Sequence, residues 1–434
     1  MKQKQNTTGA LGPFYLLWST QSLSALGSAM TGYALVIWSY QQTGSALSTA
    51  LLSICSYAPY VLMSVFAGAL SDRWNKKRVM LVCDFFAAMT TLAVLWLYKA
   101  GLLELRHLYV LNALNGLMNT FQQPASGVAV SLLTPRGHYQ RVGGLQSLSN
   151  ALTTVLTPAL ASAMLAFGGL TTVIWFDLLT CSVALTALGG FIRLPSAPAG
   201  ETGRESPLAA ARSGLRYLRR NRGILDLILF LAAINLTASV YNAALPAMLL
   251  SRPNGGDAAL GLVNTFAGLA MLAGGVLASL CPAPKSRVRT IQNALLFSMS
   301  TENLLLALGR SAPVWCLGAV LGWFFIPVMN ANMDALFRSY IPLEMQGRVY
   351  SARNTLQFFT IPLGNLLGGA MIDRVLEPLM ASMPETALFA RLLGTQKGAG
   401  AALMFLFAAA AGVLTCLAFR RDRHIRSLEA GQTK

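Results

Sequence analysis

The stretch Gly68-Ala69-Leu70-Ser71-Asp72-Arg73-Trp74-Asn75-Lys76-Lys77-Arg78 joins two apolar runs, 47 to 71 and 79 to 99. A short basic turn between runs of that length is what a hairpin through a bilayer requires. The hydrocarbon core is about 30 Å thick, and roughly 20 apolar helical residues cross it. Working outward, the same rule marks ten more runs, at 14 to 40, 106 to 133, 141 to 167, 171 to 192, 224 to 250, 258 to 281, 288 to 309, 313 to 337, 348 to 375 and 398 to 419. In chain order these are spans 1 to 12, and they predict an all-α polytopic membrane protein. Span 1 follows Lys2 and Lys4, is too long for a signal-peptide core and has no clear small-residue cleavage site, so it is expected to be retained.

Composition agrees. Of 434 residues, 54% are hydrophobic and 11% charged, whereas a soluble domain carries about 25% charged residues. A soluble globular protein and a disordered chain are both excluded. Cys55, Cys83, Cys181, Cys281, Cys316 and Cys416 all fall in apolar runs, without a CxxC pair or a nearby His cluster. Neither a disulfide framework nor a metal site is expected, and no cofactor motif appears.

The net charge of +17 first suggests nucleic acid, but its placement decides otherwise. With both termini inside, the cytoplasmic segments hold 26 of the 33 Lys and Arg residues; Lys99, Arg106, Arg252, Arg310, Arg374, Arg391 and Lys397 are left on the other side. That bias sets topology and gives contact with anionic lipid. It places the protein in the cell (inner) membrane as a multi-pass chain with both termini cytoplasmic, and it argues against nucleic-acid binding.

The segment from Arg193 to Arg222 is hydrophilic and long enough to separate domains. It opens with Leu194-Pro195-Ser196-Ala197-Pro198, a flexible composition. It then sets Leu208, Ala211, Leu215 and Leu218 against Arg212, Arg216, Arg219 and Arg220, the pattern of a basic amphipathic helix on the membrane face. The expected organisation is an N-terminal six-helix bundle over 1–193, a cytoplasmic linker over 194–222 and a C-terminal six-helix bundle with a short tail over 223–434. A weak repeat supports two pseudo-symmetric bundles: Arg141-Val142 and Arg348-Val349 stand 207 residues apart, as do Pro135 and Pro342.

The stretch from Gly68 to Arg78 resembles the loop 2-3 signature of the major facilitator superfamily, G-x-L-x-D-R-x-x-x-[KR]-[KR], at every fixed position. The resemblance implies a twelve-helix transporter working by alternating access. Gly68 lets span 2 approach a neighbour closely. Asp72 can face the positive N-terminus of span 11, which begins near Gly347 and Arg348. Arg73 can pair with Asp84, six residues beyond Arg78. With Lys76, Lys77 and Arg78, these residues form a conformational latch favouring the outward-open state. Loop 8-9 lacks the motif.

Other stretches resemble the macrolide-efflux and siderophore-exporter branch of drug:proton antiporters: Thr43-Gly44-Ser45-Ala46, Phe121-Gln122-Gln123-Pro124-Ala125, Gln146-Ser147 with Pro158, and Pro342-x-Glu344-Met345-Gln346-Gly347-Arg348-Val349. Two departures stand out. Asn115 occupies the place where family members usually carry an Arg tied to proton coupling, and the span 5 glycine motif is reduced to Thr157-Pro158-Ala159.

The resemblance implies a substrate cavity lined by spans 1, 4, 7 and 10. Polar stripes at three-to-four spacing support it independently: Gln21, Ser24, Ser28 and Thr31 in span 1; Asn112, Asn115, Asn119, Gln122 and Ser126 in span 4; Asn235, Ser239 and Asn242 beside Tyr241 in span 7; Trp323 and Asn330 in span 10. Amides facing lipid are costly. Interhelical hydrogen bonding accounts for any one of these residues alone, whereas four stripes on four expected helices favour a cavity. Such a lining suits a bulky amphipathic solute. Intramembrane acids are functional candidates, and Asp334, Asp177 and Glu302 are the candidates for proton coupling. Gly318-x3-Gly322 and Gly364-x3-Gly368 read as packing sites.

The expected function is therefore proton-coupled efflux of a drug, macrolide-like compound or siderophore. The expected partners are a small-molecule substrate, protons and membrane lipid, with the chain a monomer. An importer or uniporter of a small organic solute is the nearest alternative. A membrane enzyme needs clustered catalytic groups, yet His107, His138 and His424 are scattered and neither a Walker lysine motif nor GxSxG appears. The transported solute is not written in the sequence.

Overall fold

Inside a bilayer each backbone N–H and C=O must find its partner within the protein, so apolar runs of this length fold as helices. The computed structural model describes residues 11–134, 139–194, 207–280, 284–341, 349, 352, 353 and 355–430. Among these residues each of the twelve runs carries helix, and no strand occurs.

Spans 1 to 4 are Gly12–Thr43, Ala46–Arg73, Lys76–Lys99 and Leu105–Leu133. Spans 5 and 6 share one stretch, Tyr139–Thr186, broken at Gly169 (φ 66°, ψ −174°). That left-handed turn falls where 167 and 171 were expected to part the spans, and glycine takes it without strain. A π-helical turn, Ala187–Phe191, closes span 6. Spans 7 to 9 are Arg222–Leu249, Asp257–Leu280 and Arg287–Leu308.

Span 10 is interrupted at Phe325, giving Ala312–Phe324 and Ile326–Tyr340. Pro327, in the first turn of the second piece, cannot donate to the preceding turn. Span 11 runs past its expected end at 375 through Thr360–Met371, a π-turn at Ile372–Leu376, and Glu377–Ser382. The wider turn lies just ahead of Pro378, whose ring clashes with the carbonyl four residues before it in a regular helix. Span 12 is Ala399–Arg420. A short helix, Leu388–Leu393, and a tail helix, Arg423–Ala430, add to the expected set.

The chain divides into two compact units, Met1–Val36 with Cys55–Pro207, and Ile37–Ile54 with Leu208–Lys434. The segment 37–54, the junction of spans 1 and 2, therefore packs with the second unit, and the reason is electrostatic. The first N–H groups of span 2 have no partner within their own helix. The Asp373 carboxylate supplies one, accepting from Ala46 N at 3.0 Å, Leu47 N at 2.8 Å and Ser45 Oγ at 2.5 Å. An anion there also meets the positive end of the helix. Tyr40 Oη donates to the Ala247 carbonyl at 3.0 Å, and the Gln41 amide reaches both Asp257 oxygens. Gly369 lies against the backbone of Ala46 and Leu47.

In the first unit the turn at Trp74 and Asn75 is tight because Asn75 Oδ1 accepts from Arg78 N at 3.2 Å, capping span 3. Lys77 Nζ donates to the carbonyls of Gly189 (3.0 Å) and Ile192 (2.7 Å), the orphan acceptors at the end of span 6. Lys77→Met is expected to cost about 1.5 kcal/mol, the lower end of the range for hydrogen bonds involving a charged group. It should lower the thermal midpoint of the detergent-purified protein, and an unchanged midpoint would refute this capping role.

The linker helix is Pro207–Arg220. Leu218 is fully buried in a core shared with Ile224, Leu336 and Phe337, and Tyr217 Oη donates to the Tyr340 carbonyl. Leu215 is half-buried, while Arg212, Arg216, Arg219 and Arg220 are exposed. Ile425 and Leu428 of the tail helix enter the same core, and His424 Nδ1 lies 2.8 Å from Asp226 in span 7.

Candidate functional site

In the first unit, spans 1, 3, 4 and 6 share a polar seam. Asp84 is buried, and its two oxygens accept from Gln21 Nε2 at 2.8 Å and Gln122 Nε2 at 2.5 Å. Asp177, also buried, accepts from Ser28 Oγ at 2.9 Å and Thr91 Oγ1 at 3.1 Å. Thr90 Oγ1 donates to Asn115 Oδ1 at 3.0 Å. Span 1 reaches Asp177 because Gly27 places no Cβ against Thr180 and the Asp177 backbone. Gln21, Ser28 and Gln122, expected as cavity residues, thus gather on two carboxylates. Asn112 is half-buried and Asn119 exposed.

Asp84 was expected opposite Arg73, and that pairing lies outside the described residues, as do the side chains of Asp72 and Arg73. Lys76 is buried, with Nζ 3.2 Å from the Trp74 carbonyl, Lys77 holds span 6, and Arg78 is exposed. The stretch Pro342 to Arg348 also lies outside the described residues.

In the second unit, Asn235 Nδ2 donates to the Gln357 carbonyl at 3.3 Å, and Asn242 Nδ2 lies 3.5 Å from Asn365 Oδ1. Part of the span 7 stripe is therefore spent on span 11. Gly364 makes that approach close by lying against Leu236 O and Ser239, and Gly368 lies against Val240. The Tyr241 ring stands edge-on to Trp323 (6.1 Å) and Phe405 (5.9 Å). Asn330 is exposed on the second piece of span 10.

The three acids differ sharply in setting. Glu302 is sealed against the bare Cα of Gly322, beside the Trp323 indole. Asp177 is enclosed by hydroxyls. Asp334 has a side chain 53% exposed and lies 3.7 Å from Arg353 Nη1, whose side chain is 11% exposed. Arg353 Nε donates to Gln357 Oε1 at 3.0 Å, and its guanidinium lies over the Phe337 ring at 4.7 Å. The pair sets an exposed carboxylate beside a buried guanidinium.

Arg353 was read from sequence only as a topology charge. Its spacing from Gln357 and Asn365 repeats the polar-stripe pattern, and the same period applied to span 11 finds it. Thr90 and Thr91 left a weaker signal, since helical hydroxyls bond their own backbone as readily. One group with metal-ligand chemistry occurs among the described residues, Asp226, Asp422 and His424, whose ligand atoms lie within 4.8 Å of one another.

The comparisons agree with this architecture. Macrolide efflux protein A of Streptococcus pyogenes is 24% identical over 368 residues, covering 83% of this chain and 90% of that protein. The enterobactin exporter EntS of Citrobacter koseri is 23% identical over 369 residues, covering 83% and 84%. The solved structure of the nucleoside transporter NupG superposes with a TM-score of 0.69 at 13% identity, over 93% of this chain and 99% of that one. Residues 17–365 match the family model described as Major Facilitator Superfamily. This all-α, polytopic chain belongs to the Major Facilitator Superfamily and is a transporter of small molecules.

Proposed function

We propose that the protein exports bulky amphipathic molecules, macrolide-like or siderophore-like, in exchange for protons. Likeness to efflux proteins over 83% of the chain supports the direction. The coupling reading is carried by the Asp334–Arg353 pair, in which the acid is exposed and the base is buried. The polar groups of each unit support the substrate class. Asn112, Asn115 and Asn119 within the first unit, and separately Tyr241, Trp323 and Asn330 within the second, offer amides and aromatic faces with few fixed charges. The motif residues Gly68, Asp72 and Arg73 set the balance between inward-open and outward-open states. Placement of 26 of 33 basic residues on one side supports an inner-membrane protein with cytoplasmic termini.

The test is uptake of a labelled macrolide into inside-out vesicles energised by an imposed proton gradient. Wild type is expected to accumulate the compound until the gradient is collapsed by an ionophore, and Asp72→Asn to accumulate several-fold less at equal expression. Uptake indifferent to the ionophore refutes proton coupling; no uptake of any macrolide or siderophore refutes the substrate class.

A further inference from the structure

Positive-inside topology leaves few basic residues on the side away from the termini, yet three of those seven line one cavity. Arg252, Arg310 and Arg391 converge on a space of about 270 Å³ among the loops that follow spans 7, 9 and 11. No carboxylate lines it. All of it lies within the second unit.

The cavity is built rather than incidental. Arg252 is 9% exposed, with Nη1 donating to the Gly309 carbonyl at 2.7 Å and Nη2 to the Leu393 carbonyl at 3.3 Å. Its Nε, also buried, has no hydrogen-bond partner among the described residues. Arg310 Nη2 donates to the Arg391 carbonyl at 3.1 Å, and Asn254 Nδ2 to the Arg310 carbonyl at 3.1 Å. The three loops are thereby stitched around the arginines. Trp315, donating to Gly309 O at 3.0 Å, packs the wall. Arg391, also in the lining, is exposed.

Charge is unbalanced here. Burial and the Arg310 charge hold the Arg252 guanidinium below its ordinary pKa, with Glu377 pulling the other way. Glu377 is not part of the lining, and its Oε1 accepts from Gly398 N at 3.0 Å and Ala401 N at 3.4 Å. A buried cation near like charges is costly without an anion. Arg252 keeps its Nε as a spare donor, and with the remaining donors of Arg310 and Arg391 it matches the oxygens of phosphate. The volume is below the ~300–1,000 Å³ of a pocket for a drug-sized ligand, so one compact group fits and a bulky solute does not.

We propose that this cavity binds a phosphate-class oxyanion, held by Arg252, Arg310 and Arg391. The same chemistry comes from free phosphate or from a phospholipid headgroup. The experiment separates them with full-length protein, first in lipid-depleted detergent titrated with inorganic phosphate against chloride at matched ionic strength. The second arm uses nanodiscs of phosphatidylcholine with and without phosphatidylglycerol. A saturable rise of the thermal midpoint is expected: with phosphate in detergent if the free ion is the ligand, or only with phosphatidylglycerol if the headgroup is. Arg391→Gln, whose side chain holds no loop together, is expected to weaken binding roughly tenfold, about 1.4 kcal/mol; Lys397→Gln should leave it unchanged. A chloride response equal to that of phosphate, together with no phosphatidylglycerol effect, overturns the proposal. So does an Arg391→Gln protein that responds like wild type in both arms. Macrolide uptake is not the readout, so failure here leaves the transport reading untouched.

Discussion

Asp334→Asn is expected to bring gradient-driven efflux to background while the protein remains folded. The exposure of each partner decides this. Asp334 is 53% exposed, so the pair is worth at most about 1 kcal/mol to stability after screening by water. The variant should therefore purify like wild type, and its defect reads as function rather than collapse. Arg353 keeps the Gln357 oxygen and the Phe337 face, which suffice to hold its guanidinium. What the variant loses is an acid that can change charge beside a fixed base. On the proposed exchange of solute for protons, counterflow of preloaded macrolide without a gradient should persist. Net transport should fall at least tenfold, and the pH dependence of exchange should flatten. A variant that concentrates solute like wild type excludes Asp334 as the coupling acid. Arg353→Gln is the complementary case: its carboxylate partner stays solvated, the fold survives removal of a buried charge, and gradient-driven transport should fall equally.

The largest stability effect is expected at Gly364. A Cβ there would meet the Leu236 carbonyl and the Ser239 hydroxyl of span 7. The carbonyl belongs to a helix backbone that cannot rotate aside, so spans 7 and 11 must separate. Overpacking of this kind costs about 1–3 kcal/mol. Gly364→Ala should lower the thermal midpoint, and Gly364→Leu should prevent recovery of monodisperse protein. Gly275 supplies the control: a Cβ at that span 8 position meets nothing within 4 Å, and alanine gains up to about 1 kcal/mol of helix propensity over glycine. Gly275→Ala should be neutral or stabilising. Equal behaviour of the two alanine variants would remove the packing argument.

The parts of this structure legible in the sequence are those governed by one-dimensional periodicity. Apolar runs gave the twelve spans, with a break expected between 167 and 171, and small residues four apart marked the contacts at Gly322 and Gly364. Asp84 was matched with Arg73 because opposite charge is the strongest partner visible in a linear reading. That Gln21 and Gln122 reach it depends on how three helices are rotated about their axes. Arg353 was hidden because a cation near a predicted span end reads as a topology signal. The linker helix showed its amphipathic pattern plainly, but an apolar stripe does not say whether lipid or protein covers it, and Leu218 is covered by protein.

Spans 1 and 2 each change allegiance partway along their length, at Val36/Ile37 and at Ile54/Cys55. Inside the second unit one carboxylate does the pinning: Asp373 takes three donors, from Ser45, Ala46 and Leu47. Two of them are N–H groups at the open end of a helix, so the bonds that dock the junction also fix where span 2 begins.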